Sequence, residues 1–219
     1  MLLIIQARFN SKRFRGKVLY PIYGKPIISH VISKVKKSKA VSQIVVATSK
    51  NKTDDILVKY LKKKKVKFFR GELNNVAKRA LDVANKFNSR YFIRISADSP
   101  LIDYKIIDKA IKNLKKEKFK NYDIITNTFP RSFPKGQSVE IIKTKTLEKY
   151  LHRMNKIDLE HITRYFYKNS KNFLIKNFKL NSTKNFIKLA IDTKNDLKKI
   201  LLKIKKNQFD NFSILKWKL

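Results

Sequence analysis

Residues 8 to 15 carry three of the ten arginines in the chain: Arg8, Arg13 and Arg15. They belong to the stretch Gln6-Ala7-Arg8-Phe9-Asn10-Ser11-Lys12-Arg13-Phe14-Arg15-Gly16-Lys17, which follows an apolar run. Guanidinium forks, a point-charge lysine, a hydroxyl and free backbone N–H groups around a glycine are what a polyphosphate requires. Arg8, Ser11, Arg13 and Lys17 therefore read as a phosphate-binding loop. The competing reading is a basic loop in a basic protein, and the concentration of scarce arginine weighs against it. The glycine spacings of a Walker loop and of a dinucleotide fingerprint are both absent.

A second candidate is Arg94-Ile95-Ser96-Ala97-Asp98-Ser99-Pro100, an apolar strand closing on an aspartate and a proline turn. A carboxylate at the carboxyl end of a parallel strand lies where open α/β sheets bind ligands. It suits an oxygen-ligated Mg²⁺ that bridges phosphates. Leu189-Ala190-Ile191-Asp192-Thr193 repeats the pattern, so Asp98 and Asp192 are read as sharing a cation. Alternatively, Asp192 caps the helix that follows. Pro134-Lys135-Gly136-Gln137-Ser138-Val139-Glu140 either turns Gln137, Ser138 and Glu140 toward a substrate or is an ordinary turn into a strand. Glu160-His161 opens an aromatic helical stretch, where His161 is either structural or a substrate contact. His30 and His152 sit inside helical patterns and read as structural. Three scattered His and no Cys argue against a zinc site, the absence of Cys excludes a cysteine nucleophile, and no serine-nucleophile elbow is present.

These residues need elements to place them. Strands are expected at Leu2–Gln6, Gln43–Thr48, Val66–Phe69, Tyr91–Ser96, Asp123–Thr126, Val139–Ile142 and Ile187–Ile191. Helices are expected near Pro26–Lys37, Asp54–Lys62, Asn75–Phe87, Asp103–Lys116, Lys145–Leu151, Leu159–Tyr167 and Asp196–Lys205. The alternation predicts an α/β fold with a mostly parallel sheet, in one domain spanning residues 1–219. The chain has only four glycines. Their survival in a glycine-poor sequence predicts backbone roles, through positive φ or close approach.

The formal net charge is +37, from 53 Lys+Arg against 16 Asp+Glu. That invites a nucleic-acid reading. The basic residues, however, are 43 Lys and 10 Arg, beside 18 Asn and 26 Ile, the bias of an A- and T-rich coding sequence. Lysines also fill the solvent side of helical patterns, as Lys105, Lys109, Lys112 and Lys115 do around the apolar stripe Ile106, Ile107, Ala110, Ile111 and Leu114. Most of the charge is thus expected to be solvated helix surface, with nucleic acid bound only nonspecifically at low salt. The 42% apolar content argues against disorder. The apolar run Met1 to Ile5 is too short for a signal-peptide core. No membrane segment and a cytoplasmic location are expected.

Ile4-Ile5-Gln6-Ala7-Arg8 through Ser11, Arg13, Gly16 and Lys17, then Gly24-Lys25-Pro26 and His30-Val31, resembles the cytidylyltransferases that make CMP-activated sugars. The likeness is greatest to the branch named for spore coat polysaccharide biosynthesis, relatives of the CMP-Kdo and CMP-sialic acid synthetases. It continues through Phe69-Arg70-Gly71, Val76 with Arg79, Arg94–Asp103, Gly136–Glu140, Glu160-His161 and Ile191-Asp192-Thr193. The resemblance implies a glycosyltransferase-A-like (Rossmann-like) three-layer sandwich, and a reaction in which a sugar hydroxyl attacks the α-phosphorus of CTP and expels pyrophosphate. It assigns Gln6, Ala7, Arg8, Ser11, Arg13, Gly16, Lys17, Arg70, Arg79 and Ala97 to the nucleotide, and Gln137, Ser138, Glu140 and His161 to the sugar. Arg8, Lys17 and Asp98 would be catalytic, with Mg²⁺ on Asp98 and Asp192. It also implies a homodimer. The chain departs from the family pattern at Ala97, usually Gly, and at Asn75 and Ser138, usually Asp. Two other readings compete: a basic nucleic-acid-binding protein retaining a transferase fold, and a transferase using another nucleoside triphosphate and a sugar phosphate.

Overall fold

Four consecutive buried side chains, Leu2 to Ile5, mark a strand covered on both faces. In the computed structural model, which describes residues 1–116, 121–180 and 188–205, that strand is central to a seven-stranded sheet. The strands are β1 (Leu2–Gln6), β2 (Pro21–Ile22), β3 (Lys25–Pro26), β4 (Gln43–Ser49), β5 (Phe68–Gly71), β6 (Tyr91–Ser96), β7 (Ile124–Thr126), β8 (Glu140–Lys143) and β9 (Ile175–Asn177). The sheet order is β5-β4-β1-β6-β8-β7-β9, with β2 and β3 forming a separate hairpin. β5, β4, β1 and β6 run parallel, and β8 is antiparallel to both β6 and β7.

The helices are α1 (Ile27–Val35), α2 (Asp55–Lys63), α3 (Val76–Lys86), α4 (Tyr104–Lys116), α5 (Thr144–Tyr150), α6 (Lys156–Glu160), α7 (Arg164–Lys168) and α8 (Lys194–Lys205). Strand alternation decides which helix meets which face. Leu3 and Ile5 of β1 pack with α1, α2 and α4, through residues such as Val31, Leu57 and Ile107. Leu2 and Ile4 point the other way, into a cluster with Ala77 and Ala84 of α3, Leu147 of α5 and Phe166 of α7. The result is helix, sheet and helix in three layers. A third cluster joins Phe14, Ile22 and Leu101 to Leu189, Ile191 and Leu197.

Two expected elements differ. Residues 188–191 form no strand, and Ile187 lies outside the described residues. Leu189 N–H donates to Lys135 O (2.7 Å) and Ile191 N–H to Asp98 O (2.9 Å). Those bonds tie the run to two loops instead of a sheet edge, while its alternating Leu189 and Ile191 fill the third cluster. The expected helix Leu159–Tyr167 is broken at residues 161–163 into α6 and α7. The carboxyl-terminal segment from Asn207, with Trp217, is outside the described residues. Among the described residues no helix is long and apolar enough to cross a membrane.

Candidate active site

β1 and β6 end level with one another, because Gln6 pairs with Ser96, while β4 runs two residues past Ala47, the partner of Gln6 on the other side. The loops that follow them emerge at the carboxyl edge of the sheet, where ligands bind in open α/β folds. A cavity of about 640 Å³ opens there, lined by Gln6 to Arg8, Asn10 to Arg13, Lys17 and Val18, by Leu73, Asn74, Val76 and Arg79, by Arg94 and Ser96 to Asp98, and by Glu160, His161 and Asp192.

The loop after β1 is shaped around Phe9. Its carbonyl accepts Ser11 N–H (3.0 Å) and Gly16 N–H (2.8 Å). Gly16 has φ +74°, a left-handed conformation that favours glycine, and a Cβ there would stand 3.1 Å from the Phe9 ring, a tight contact to which the ring would have to yield. The 3₁₀ turn Lys17–Leu19 follows at once and buries Lys17. Lys17 Nζ lies 2.9 Å from Asp98 Oδ2, 3.0 Å from the Ile191 carbonyl and 3.5 Å from Asp192 Oδ1. Arg13 also reaches Asp192 Oδ1, at 2.7 Å.

Asp192 does not cap α8. Thr193 and Asp196 do so reciprocally: Asp196 N–H donates to Thr193 Oγ1 (3.1 Å), and Asp196 Oδ2 accepts the N–H groups of Asp192 and Thr193 (both 2.9 Å). The Asp192 carboxylate is left to face the cavity. Burial alone would raise its pKa, but the Lys188 hydrogen bond and the charges of Lys17, Lys188 and Arg13 hold it below the usual carboxylate value.

A polar row crosses the sheet face that carries Leu2 and Ile4. Arg94 Nε donates to Gln6 Oε1 (2.7 Å), and Arg94 pairs with Glu140, its cross-strand neighbour in β8. Glu140 is 3% exposed and also accepts Thr163 Oγ1 and Tyr167 Oη, both at 2.7 Å. Burial works to raise its pKa, yet Arg94 and these hydroxyls keep it lowered. Arg94 and His161 also line a second cavity of about 480 Å³, with Arg131, Glu140, Arg164 and Tyr167. Arg8 pairs with Glu160 at 2.6 Å, a hydrogen bond that lowers the Glu160 pKa. Arg79, 2% exposed, donates to the Glu72 carbonyl, holding the 72–74 loop at the cavity wall. Burial brings its pKa down to about 10, against the field of Asp54 and assisted by that of Arg8.

The cavity thus brings together Gln6, Ala7, Arg8, Ser11, Arg13, Lys17, Arg79, Ala97, Asp98, His161 and Asp192. Gly16 shapes the loop without lining the cavity. Arg70 lies outside it, donating to the Ser49 and Asn51 carbonyls and pairing with Asp55. Gln137 is also outside: it is fully buried, accepts Asp103 N–H (3.0 Å) and donates to Leu101 O (2.6 Å). Ser138 lies outside both cavities and accepts from Arg131 (3.1 Å). Ala97 is not left-handed, so glycine is not required there. Asn75 caps α3 by accepting Lys78 N–H (2.8 Å), a task its amide oxygen performs as a carboxylate would. Asn10, Asn74, Arg94 and Glu160 also line the cavity, although the sequence assigned none of them a role. Arg94 announces itself only as a charge inside an otherwise apolar strand.

The cytidylyltransferase profile matches residues 2–216. The chain belongs to the cytidylyltransferase family. An uncharacterized protein of Methanocaldococcus jannaschii is 32% identical to this cytidylyltransferase over 216 residues, 96% of the chain and 85% of the relative. The spore coat polysaccharide biosynthesis protein SpsF of Bacillus subtilis is 34% identical over 116 residues, 51% of the chain and 48% of the relative. The 3-deoxy-manno-octulosonate cytidylyltransferase of Geobacter sulfurreducens is 34% identical over 118 residues, 51% of the chain and 44% of the relative. A solved cytidylyltransferase from Leptospira borgpetersenii superposes with a TM-score of 0.89 at 30% identity, covering 97% of the chain and 88% of that structure. The three-layer architecture of this cytidylyltransferase is therefore that of its family.

Proposed function

We propose that the chain transfers a cytidylyl group from CTP to an oxygen of a sugar or sugar acid, releasing pyrophosphate, to supply a CMP-sugar for surface polysaccharide. The observation that carries this reading is the convergence of Lys17, Asp98 and Asp192 beside the arginine-bearing loop. A cation of the chain sits among oxygens at the place where a triphosphate would lie. Arg8, Ser11 and Arg13 hold the phosphates, and Lys17 neutralises charge that develops on them as the acceptor oxygen bonds to the α-phosphorus and the bond to the β-phosphate breaks. This chemistry rests on positioning and charge rather than on a covalent enzyme intermediate.

Asp98 Oδ2, Asp192 Oδ1 and the Ile191 carbonyl all face the Lys17 ammonium. An oxygen-only donor set of two carboxylates and a carbonyl suits Mg²⁺, so Asp98 and Asp192 are the residues that would hold it. Bound there, Mg²⁺ supplies further neutralisation of the phosphates. The acceptor is placed in the second cavity, with His161 at the junction. The Geobacter relative's name, a 3-deoxy-manno-octulosonate cytidylyltransferase, supports a sugar acid; that of SpsF supports a role in polysaccharide synthesis.

The test is pyrophosphate release from each of the four nucleoside triphosphates, in Mg²⁺, with a panel of ulosonic acids and sugar phosphates. Release with CTP and an ulosonic acid is expected. Release only with another nucleotide and a sugar phosphate would move the chain to a different specificity, and no release with any pair would refute the reading.

A further inference from the structure

Asp54 is a fully buried carboxylate that the proposed chemistry does not use. It ends the 3₁₀ turn Lys52–Asp54 just before α2. Its two oxygens divide their work. Oδ2 accepts Thr48 Oγ1 (2.9 Å), Ser49 N–H (3.0 Å) and Ser49 Oγ, all from the end of β4. Oδ1 accepts Phe9 N–H at 2.6 Å, from a residue 45 positions away.

That one bond reaches the phosphate loop at its hub. Pairing of β1 with β4 finishes at Ala7 N–H to Ala47 O (3.1 Å), so the Asp54 bond carries the attachment two residues further. Phe9 then organises the loop through its carbonyl, which holds Ser11 and Gly16, and through its ring, which packs against Gly16. Arg8, Asn10 and Ser11, on either side of it, line the cavity. Hydrogen bonds from a backbone N–H to a buried carboxylate are short, strong and costly to lose.

We propose that Asp54 is a positioning residue for the triphosphate: through the Phe9 N–H it fixes where Arg8 and Ser11 meet the phosphates. This rests on the reading of the 8–17 loop as the triphosphate site. Asp54→Asn turns one acceptor into a donor, so the amide opposes either Phe9 N–H or Ser49 N–H. Calorimetric titration with CTP and with CMP gives the test, because only CTP carries the phosphates that the loop would grip. The variant is expected to bind CTP about tenfold more weakly and CMP within twofold of wild type. Thr48→Val removes only an Oδ2 donor; it should lower stability and leave the CTP-to-CMP ratio intact. An unchanged ratio in Asp54→Asn, or an equal loss in Thr48→Val, overturns the proposal. If Asp54→Asn does not fold, hydrogen exchange of the wild-type Phe9 amide decides: protection near that of β1 is expected, and exchange at the rate of an open loop overturns it. A wild-type protein that binds CTP no better than CMP, with Phe9 protected, would refute the triphosphate reading of the loop and this role with it.

Discussion

Lys17 Nζ sits 2.9 Å from Asp98 Oδ2, although the two residues are 81 positions apart. Gly16 and the 3₁₀ turn deliver the lysine, the end of β6 delivers the aspartate, and Asp192 arrives from the loop that Leu189 and Ile191 anchor. Three oxygens face this buried ammonium: Asp98 Oδ2, the Ile191 carbonyl and Asp192 Oδ1. Those oxygens are the same ones that suit a divalent cation.

Replacing Lys17 by Ala should therefore separate two effects. Turnover falls about 100-fold, the usual cost of a preorganised charge at a transferring phosphoryl group. At the same time Asp98 and Asp192 face each other without their cation, so Mg²⁺ protects the variant from heat at a concentration about tenfold lower than it protects wild type. Thermal melts across a Mg²⁺ series check this; an unchanged midpoint would show that Lys17 and the metal do not share the site.

Acid should weaken the α8 end of the site. Burial opposes ionisation of Asp196, but Lys188 and the N–H groups of Asp192 and Thr193 bring its pKa to about 2. A carboxylate depressed in the folded state adds stability that is present above its unfolded value and is lost as pH falls through its folded value. Stability is thus expected to decline from roughly pH 4 toward pH 2. Asp196→Asn should flatten that part of the urea-midpoint profile.

Glu140 tests whether the polar row is structural. Glu140→Gln leaves Arg94 without its buried partner and should reduce unfolding free energy by about 3 kcal/mol, measured by urea titration. A change within about 0.5 kcal/mol would mean that solvent already screens the pair.

Gly136 has φ +101°, and a Cβ there would lie 2.5 Å from the Leu189 carbonyl carbon. Backbone must move to admit it, and the backbone in question leads to Asp192. Gly136→Ala is expected to cost about 2 kcal/mol and to lower turnover beyond the loss of folded protein. Full activity at a temperature where the variant is folded would uncouple the turn from the site.

Most of the central sheet was legible because its strands are built on apolar runs and its helices keep 3.6-residue stripes; β9, Ile175–Asn177, has only one apolar residue and was not expected. The loop after β1 stood out because arginine is scarce elsewhere, and its residues do line the cavity. What the sequence hid depends on pairing across distance. Glu140 reads as a substrate carboxylate, and only the pairing of β8 with β6 shows that it is also the partner of Arg94 at the wall of the second cavity. Gln137 reads as a sugar contact until its amide is found buried between Asp103 and Leu101. Arg70 is expected just after a strand like the other site residues, but it lies within β5 and its guanidinium is engaged by Ser49, Asn51 and Asp55. The run ending at Asp192 has strand alternation, yet its N–H groups bond to loops, so its apolar residues signal packing and not a sheet.

The central claim is that the loop after β1 grips a nucleoside triphosphate, and calorimetric titration of CTP into wild type and Arg8→Ala at 0.15 M salt measures it most directly. Screening at that ionic strength, with a Debye length of about 8 Å, suppresses attraction due merely to the +37 charge. Arg8→Ala should bind CTP at least about tenfold more weakly with an unchanged melting temperature. Equal affinity in the two proteins, or RNA binding that persists at this salt while CTP binding is absent, would contradict it.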